Sequence, residues 1–311
     1  MRGSGCELES KMNVAVRGSA ARVENATLKV TAAELRGRII AMSHAAQAAH
    51  LASSLSCADI LTVAYWHVLS QPEQARLGES SEFLVATKRW EAAKGFALSD
   101  EIVVTIAVQA AVLILGLDTD YFGKVTSIIV HPTVFSIPGP RPTAIQGMVD
   151  EGERPLLGEA HHDRGPILLA WDQARSGARH RGRGQNVILH EFAHKVDMLD
   201  GVVDGTPLMR DRAALDRWIA VCKSELELMR ADEGEGFLDD YAATDPGEFF
   251  AVATEAFFDR PIDFRDAKPQ LYEVLAGFYR QDPAARDELV RSRPPGSDRI
   301  VSDDSPRDRS G

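Results

Sequence analysis

The sequence predicts an α+β protein that is mostly helical and carries a small sheet beside one central helix. Apolar residues recur with mixed three- and four-residue spacing along 187–199, as a buried helix requires. Two short apolar runs, Val125–Val130 and Pro166–Trp171, have the composition of strands. Helical patterns surround both runs, so helices are expected to outnumber strands.

The composition is that of an ordinary globular protein, with 44% hydrophobic and 26% charged residues among 311. The net charge of −11 argues against a general nucleic-acid or anionic-membrane binder, because such proteins usually present a basic face. Cys6, Cys57 and Cys222 are isolated, which favours a reducing compartment and gives no disulfide framework. Residues 1–23 lack the apolar core of a signal peptide, and the longest apolar run, 102–117, is too short and polar for a membrane span. A cytoplasmic protein is expected.

The N-terminal third predicts a tail followed by a helical extension. Residues 31–70 contain Met42-Ser43-His44 and Ala49–Leu61, which resemble the N-terminal edge of the thiamine diphosphate-binding domain of transketolases. That family has Gly-His-x-Gly where this chain has Ala49 and Ala52 around the histidine, and no Gly-Asp-Gly cofactor motif follows. The segment is therefore interpreted as a helical extension.

The polar stretch Gln71–Ser81 contains Pro72 and Gly78 and predicts a domain boundary. Everything from about Pro294 onward is rich in Pro, Ser, Asp and Arg and predicts a second tail. The predicted parts are a disordered tail at 1–30, a helical extension at 31–78, the main domain at 79–290 and a disordered tail at 291–311.

Within the main domain, Phe83–Trp90 is predicted to be helical. Ser99 is a plausible N-cap for a helix from Glu101 to Leu115 that is apolar on nearly every side and should be central to the core. The Arg/Gly-rich segment Asp172–Gly184 predicts a mobile connection to the central helix. Later helices are predicted through Leu215–Met229, Phe249–Phe258 and Leu271–Tyr279.

The central helix carries a His-Glu-x-x-His motif, His190-Glu191-Phe192-Ala193-His194, with Asn186 as a candidate N-cap and Gly201 as the terminating residue. His190 and His194 lie one turn apart, so both imidazoles project from the same face and can bind one zinc ion. Glu191 lies beside the pair, where its carboxylate can reach a water molecule on the metal. The alternative is a helix that carries two histidines by chance.

A catalytic zinc needs a third protein ligand. No histidine follows His194, so a carboxylate is expected. Glu248 and Glu255 are seven residues apart on one helix and share a face. Glu248 also fits a capping box that begins at Asp245, and Glu255 has apolar neighbours. The residues alone leave this choice open.

Three segments resemble the Mlc titration factor A family of zinc peptidases and, more distantly, the catalytic domain of anthrax lethal factor. They are His190–Met198, Asp240–Ala243 and Asp245–Glu255. Further similarity at Val104–Leu115, Ile128–Pro132 and Gly165–Trp171 extends the resemblance from about Phe83 to Pro283.

This resemblance implies a zincin-like metallopeptidase domain with one zinc ion per chain, bound by His190, His194 and Glu248. It places Glu255 behind the ligands, where a carboxylate orients a histidine. It also places Tyr241 near the open coordination position, as a donor to the oxyanion.

The expected activity is hydrolysis of a peptide or protein substrate, with Glu191 as general base and the substrate extended along the edge of the strand Ile167–Trp171. Whether the enzyme is an endopeptidase or an aminopeptidase stays open. The resemblance also implies that a family member can sequester a transcriptional repressor, so a non-catalytic binding protein is the alternative. A thiamine-enzyme fragment is the third reading.

Overall fold

The computed structural model describes residues 69–93, 95–135, 141–142, 149–150, 158–160, 165–179, 182–209, 211–231 and 236–292. The elements within these ranges are α1 (Gln71–Thr87), β1 (Arg89–Ala92), α2 (Asp100–Leu113), β2 (Ser127–His131), β3 (Arg141–Pro142), β4 (Val149–Asp150), β5 (Gly158–Ala160), β6 (Ile167–Ala170), α3 (Trp171–Arg179), α4 (Val187–Asp197), α5 (Arg212–Arg230), α6 (Pro246–Asp259), α7 (Pro261–Ala267), α8 (Pro269–Tyr279) and α9 (Pro283–Arg291). Short 3-10 helices span Thr119–Phe122, Met198–Asp200 and Asp240–Ala243. The predicted fold class, a mostly helical α+β protein, is confirmed.

The main sheet has the order β1-β2-β6-β5. β1, β2 and β6 are parallel, whereas β5 runs antiparallel to β6. Alternate side chains of a strand point to opposite faces, and the face that carries Ile128, Val130, Ile167 and Leu169 is fully buried. The central helix α4 packs against β5 and β6, so the sheet lies beside it as predicted.

Two helices form the centre of the core. α2 begins at the N-cap Ser99, whose hydroxyl accepts the N–H of Ile102, and its residues from 102 to 113 are all buried. α6 is buried from Phe249 to Asp259. α4 packs against both helices, which holds its histidines between rigid, well-packed elements.

One prediction about the substrate strand is wrong. β6 pairs with β2 on one side and with β5 on the other, so neither of its edges is open to a peptide. β5 is the edge strand, and among the described residues it pairs with β6 alone. The sequence did not show this arrangement because β5 has only three residues and no apolar run.

The predicted polar break at Gln71–Ser81 is also wrong, because α1 runs through it. Ser70 and Glu73 form a capping box, and Pro72 lies in the first turn, where its missing N–H has no helical partner to lose. Leu77 and Leu84 are buried against the core. α1 therefore crosses the predicted boundary at 78–79, although the division itself stays a prediction because residues 31–68 lie outside the described ranges.

The segment Asp172–Gly184 is likewise more ordered than predicted. α3 occupies Trp171–Arg179 and buries Ala174 and Ala178 against neighbouring helices. At the C-terminal end, α7 and α9 add two helices to those predicted. The predicted tails at 1–30 and beyond residue 292, and the transketolase-like segment up to residue 68, lie outside the described ranges.

None of the helices in the described ranges is long and apolar enough to cross a membrane.

Candidate metal centre and active site

The N-cap of α4 fixes the start of the motif helix. The Asn186 side chain accepts the N–H groups of Ile188 and Leu189, and its amide donates to Gln109 on α2 at 2.6 Å. His190 and His194 then lie one turn apart on the same face, as predicted. Their Nε2 atoms are 3.2 Å apart, and their rings are nearly perpendicular at 80°.

α6 brings Glu248 to the two histidines. Asp245 caps the helix by accepting the Glu248 N–H at 2.9 Å, which places Glu248 in the first turn. Oε2 of Glu248 lies 3.0 Å from Nε2 of His190 and 3.4 Å from Nε2 of His194. These three side chains form a group that could hold a metal ion. Only one half of the predicted capping box is present. Asp245 accepts the Glu248 N–H, but the Glu248 carboxylate faces the histidines instead of the Asp245 backbone.

Glu255 lies two turns further along α6 and contacts the other side of His190. Its Oε1 is 2.7 Å from Nδ1 of His190, and its Oε2 accepts the N–H of Asn186. A carboxylate can only accept a hydrogen bond, so Nδ1 of His190 carries the hydrogen and Nε2 points toward Glu248. The structure thus places Glu248 beside both Nε2 atoms and Glu255 behind the ring.

Tyr241 lies in the 3-10 helix Asp240–Ala243, which Asp239 caps. Its hydroxyl donates to Oε1 of Glu248 at 3.1 Å, and its ring centre is 6.2 Å from that of His190. The side chain is 52% exposed, whereas His190 and Glu248 are largely buried. Tyr241 therefore forms the solvent side of the site.

Glu191 is 5% exposed because β5 covers it. A Cβ atom on Gly158 would lie 2.5–2.8 Å from three atoms of the Glu191 side chain, so only glycine leaves room for that carboxylate. Burial raises the pKa of Glu191 to about 7, and Glu248 and Glu255 act in the same direction against the two histidines. A carboxyl group with this pKa can exchange a proton near neutral pH.

The charges of the site depend on one another. Burial alone would lower the pKa of His190, but the hydrogen bonds to Glu248 and Glu255 outweigh it and hold the pKa well above its usual range. For Glu248 burial acts upward, and the hydrogen bonds to His190 and His194 outweigh it, so its pKa lies well below the usual range. The cluster therefore favours positive charge between its ligand atoms.

A cavity of about 420 Å³ opens beside these residues. His190, Glu191 and Tyr241 line it, and Val187 and Val252 contribute apolar wall. Residues of α3 and of the loop before α4 also line it. The cavity is large enough to hold an amino-acid side chain.

Two residues near the site were not singled out from the sequence. Gly158 lies against Glu191, and nothing in the sequence indicates this contact between a strand and a helix. Asp197 ends α4 and is completely buried. Its spacing of three residues from His194 was a signal, because residues three apart on a helix are neighbours.

Comparison with known proteins identifies the family. The sequence profile of the glucose-regulated metallo-peptidase M90 family matches residues 41–280, which is most of the chain. The chain belongs to this metallopeptidase family. The match begins within the segment interpreted as a helical extension.

Individual relatives agree with the profile. The chain is 32% identical over 233 residues to Mlc titration factor A of Salmonella typhi, covering 73% of this chain and 86% of the relative. It is 31% identical over 223 residues to uncharacterized protein slr2042 of Synechocystis, covering 70% of this chain and 80% of the relative. The resemblance to the Mlc titration factor A family is thus confirmed, whereas those to anthrax lethal factor and transketolase stay predictions.

Proposed function

We propose that this chain is a zinc-dependent peptidase whose metal ion is bound by His190, His194 and Glu248. The observation that carries the proposal is the convergence of two imidazole Nε2 atoms and one carboxylate oxygen, with separations of 3.0, 3.2 and 3.4 Å. Family membership supports a metal-dependent peptidase, and the ligand types support zinc.

The three separations fit a zinc ion. Ligands on a tetrahedron with bonds of about 2.0–2.1 Å lie about 3.3–3.4 Å from one another, close to the observed triangle. In the neutral tautomer that Glu255 selects, Nε2 of His190 presents a lone pair toward the Glu248 carboxylate. Such a pairing is repulsive unless a proton or a cation lies between the two atoms, and a divalent cation would replace the proton.

When bound, zinc would supply Lewis acidity that activates a water molecule and polarises the scissile carbonyl group. Glu191 would take the proton of the attacking water and deliver it to the leaving amine. Its raised pKa suits both transfers. A carboxylate with an ordinary, lower pKa would be a weaker base and would hold the proton less well after taking it from water and before giving it to the amine. Gly158 leaves this carboxylate the room to face the substrate.

Tyr241 would donate its hydroxyl to the oxygen that becomes negative during attack. In the structure this hydroxyl donates to Glu248 Oε1, so it already lies within hydrogen-bond reach of the ligand set. The side chain is half exposed and can turn toward a bound peptide. Burial raises its pKa above the usual range, so it stays a proton donor at neutral pH.

The substrate would bind as an extended peptide along β5. Its main chain would pair with the edge of β5 that has no partner strand among the described residues, and a side chain would enter the cavity beside Val187. This replaces β6, which has no open edge.

The decisive experiment measures the metal content of purified wild type, His194→Ala and Glu248→Ala. One zinc per wild-type chain, lost or sharply weakened in both variants, supports the ligand set. Glu79→Gln, an exposed substitution on α1, is the matched control and should keep its zinc. A folded wild type that binds no added zinc would overturn the proposal.

Catalysis is tested separately with Glu191→Gln. This variant should retain zinc and lose peptide hydrolysis, because the amide cannot accept the proton. Full hydrolytic activity in Glu191→Gln would remove Glu191 from the mechanism.

The second candidate function is sequestration of a transcription regulator without catalysis. The observation that favours it is the name of the relative Mlc titration factor A, which describes a protein that titrates Mlc. The two functions separate in cells: a Glu191→Gln chain that keeps every effect of the wild type would favour binding, and one that loses them would favour hydrolysis.

A further inference from the structure

One oxygen of the Asp197 carboxylate has no hydrogen-bond partner among the described residues. Asp197 is the last residue of α4 and is completely buried. Its Oδ2 accepts the N–H of Gly205 at 2.9 Å. Its Oδ1 is shielded from solvent and has no hydrogen-bond partner in the part of the chain that the structure describes. A buried polar atom without a partner costs free energy and requires an explanation.

A second buried atom that lacks a hydrogen-bond partner among the described residues lies one turn earlier on α4. Nδ1 of His194 is also shielded and has no partner within the described ranges. Residues three apart on a helix have Cβ atoms about 5–6 Å apart, so the two side chains are neighbours. His194 also acts electrostatically on the Asp197 carboxyl group. One atom can donate, the other can only accept, and neither has another described use.

Metal binding gives this pair its role. When His194 binds a cation through Nε2, its ring hydrogen must be on Nδ1, and histidine ligands almost always donate that hydrogen to a carboxylate, carbonyl or water. His190 already has such an acceptor in Glu255, at 2.7 Å. His194 has no described equivalent except the unused oxygen of Asp197.

We propose that Asp197 is a positioning residue of the metal centre, whose Oδ1 accepts the Nδ1–H of His194 directly or through one water molecule. Each histidine ligand would then have its own carboxylate, Glu255 for His190 and Asp197 for His194. This inference rests on the proposed function, because it requires His194 to bind the metal.

The other oxygen of Asp197 connects the motif helix to the helix of the third ligand. Gly205, which it binds, has a left-handed φ of +71°, and a side chain there would collide with the carbonyl oxygen of Pro246. Trp218 also donates to the Gly205 carbonyl, at 2.9 Å. Pro246 lies in the first turn of α6, two residues before Glu248. Asp197 thus helps to set the spacing between the helices that carry the ligands.

The test is the zinc affinity of Asp197→Asn, measured on metal-free protein by competition with a chelator. The asparagine oxygen still accepts the Gly205 N–H, but its NH₂ group cannot accept the His194 hydrogen. We expect about a 10- to 100-fold loss of zinc affinity, the effect typical of groups that support a ligand. Thermal unfolding of the metal-free variant checks that the loop is intact.

The matched control is Asp200→Asn, which removes the same charge from an exposed residue of the adjoining 3-10 helix. It should bind zinc as the wild type does. Glu255→Gln should weaken binding to an extent similar to Asp197→Asn. Asp197→Ser, which retains a hydrogen-bonding group but shortens it, should also weaken binding.

The outcomes are separable from those of the proposed function. A wild type that binds no zinc refutes the proposed function itself. A wild type and an Asp197→Asn variant with equal zinc affinity refute only the role of Asp197. If neither Asp197 variant folds, Asp197 acts on the fold as a whole, and its assignment to the metal centre is overturned.

Discussion

At the scale of single residues, Tyr241 combines a position inside the ligand cluster with half exposure to solvent. Replacing Tyr241 with Phe removes only the hydroxyl. If that hydroxyl stabilises the transition state, kcat should fall about 10²- to 10³-fold, the range found for single oxyanion donors. Zinc content should stay unchanged, because the hydroxyl is not a ligand. Steady-state kinetics and metal analysis measure the two effects.

The control for Tyr241→Phe is Tyr121→Phe, which removes a hydroxyl from a tyrosine that packs on Phe278 in the core. It should leave kcat unchanged. An unaltered kcat in Tyr241→Phe would refute the role of the hydroxyl in catalysis, and loss of zinc would make it part of the metal centre instead.

Gly158 gives a second prediction at this scale. In Gly158→Ala the new methyl group would lie 2.5–2.8 Å from the Glu191 side chain, so either β5 or the carboxylate must move. Misplacement of a catalytic group by about 1 Å can cost about 10²-fold, so we expect kcat to fall about 10- to 100-fold with zinc retained. Kinetics with a peptide substrate measure it.

Gly277→Ala is the matched control, because nothing lies within 4 Å of a Cβ at that position on α8. It should keep full activity and gain a little stability from helix propensity. Wild-type kcat in Gly158→Ala would show that Glu191 adapts freely and that its position is not constrained by β5.

At the scale of elements, α4 could be predicted from the sequence because independent local signals agree. Apolar spacing and an N-cap at Asn186 describe α4, and Gly201, with a left-handed φ of +96°, ends the 3-10 helix that follows it. The choice between Glu248 and Glu255 could not be made locally. Their spacing puts both on one face, and only the packing of α6 on α4 separates the carboxylate that faces both Nε2 atoms from the one behind the His190 ring.

The part of α1 before Phe83 and all of α3 were missed for a related reason. Both are polar helices with narrow buried stripes, such as Leu77 and Leu84 on α1, and they gain stability from tertiary contacts more than from their own sequence. Pro72 and Gly78 indicated a break, but a proline in the first turn is compatible with a helix. Strand β5 could not be predicted either, because a strand of three residues is too short to show an alternating apolar pattern.

The junction between α1 and β1 yields a prediction about stability. Lys88 lies there at 5% exposure, donates to the Phe122 carbonyl at 2.6 Å and lies over the Phe83 ring. Burial lowers its pKa from 10.5 to about 8, because the charged amine is poorly solvated. Replacing Lys88 with Met removes this burial cost but also loses the hydrogen bond to the Phe122 carbonyl. The net effect should be a rise of about 1–3 kcal/mol in the free energy of unfolding at pH 7.

The sign of this effect depends on pH. Below about pH 8 Lys88 is charged in the folded and unfolded chains, so its burial cost is fully present. Between about pH 8 and 10.5 the folded chain releases its proton first, and the stability of the wild type rises toward that of Lys88→Met. Urea unfolding at pH 7 and pH 10.5 tests this. The exposed control Lys223→Met should show no such pH dependence. A wild type that is more stable than Lys88→Met at pH 7 would contradict the prediction.

At the scale of the whole molecule, the candidate site lies between parts that come from distant stretches of the chain. α4 supplies two of the proposed ligands, α6 supplies the third, and β5 covers Glu191, the proposed general base, so the candidate site forms only when the core has assembled. Three carboxyl groups of the site, Glu191, Glu248 and Glu255, lie close enough that the latter two raise the pKa of Glu191. Their mutual repulsion is a cost that a bound cation would relieve.

Zinc is therefore expected to stabilise the entire fold. A ligand that binds only the folded state adds roughly 2.7 kcal/mol when its free concentration is about 100 times Kd. A domain of about 200 residues gains about 2–4 °C in Tm per kcal/mol, so the metal-free wild type should gain roughly 5–10 °C under those conditions. His194→Ala should gain far less, because it lacks a ligand. Thermal unfolding with and without zinc measures both. An equal rise in Tm in the wild type and His194→Ala would show that zinc binds elsewhere. No rise in the Tm of the wild type would show that the cluster is stable without a metal.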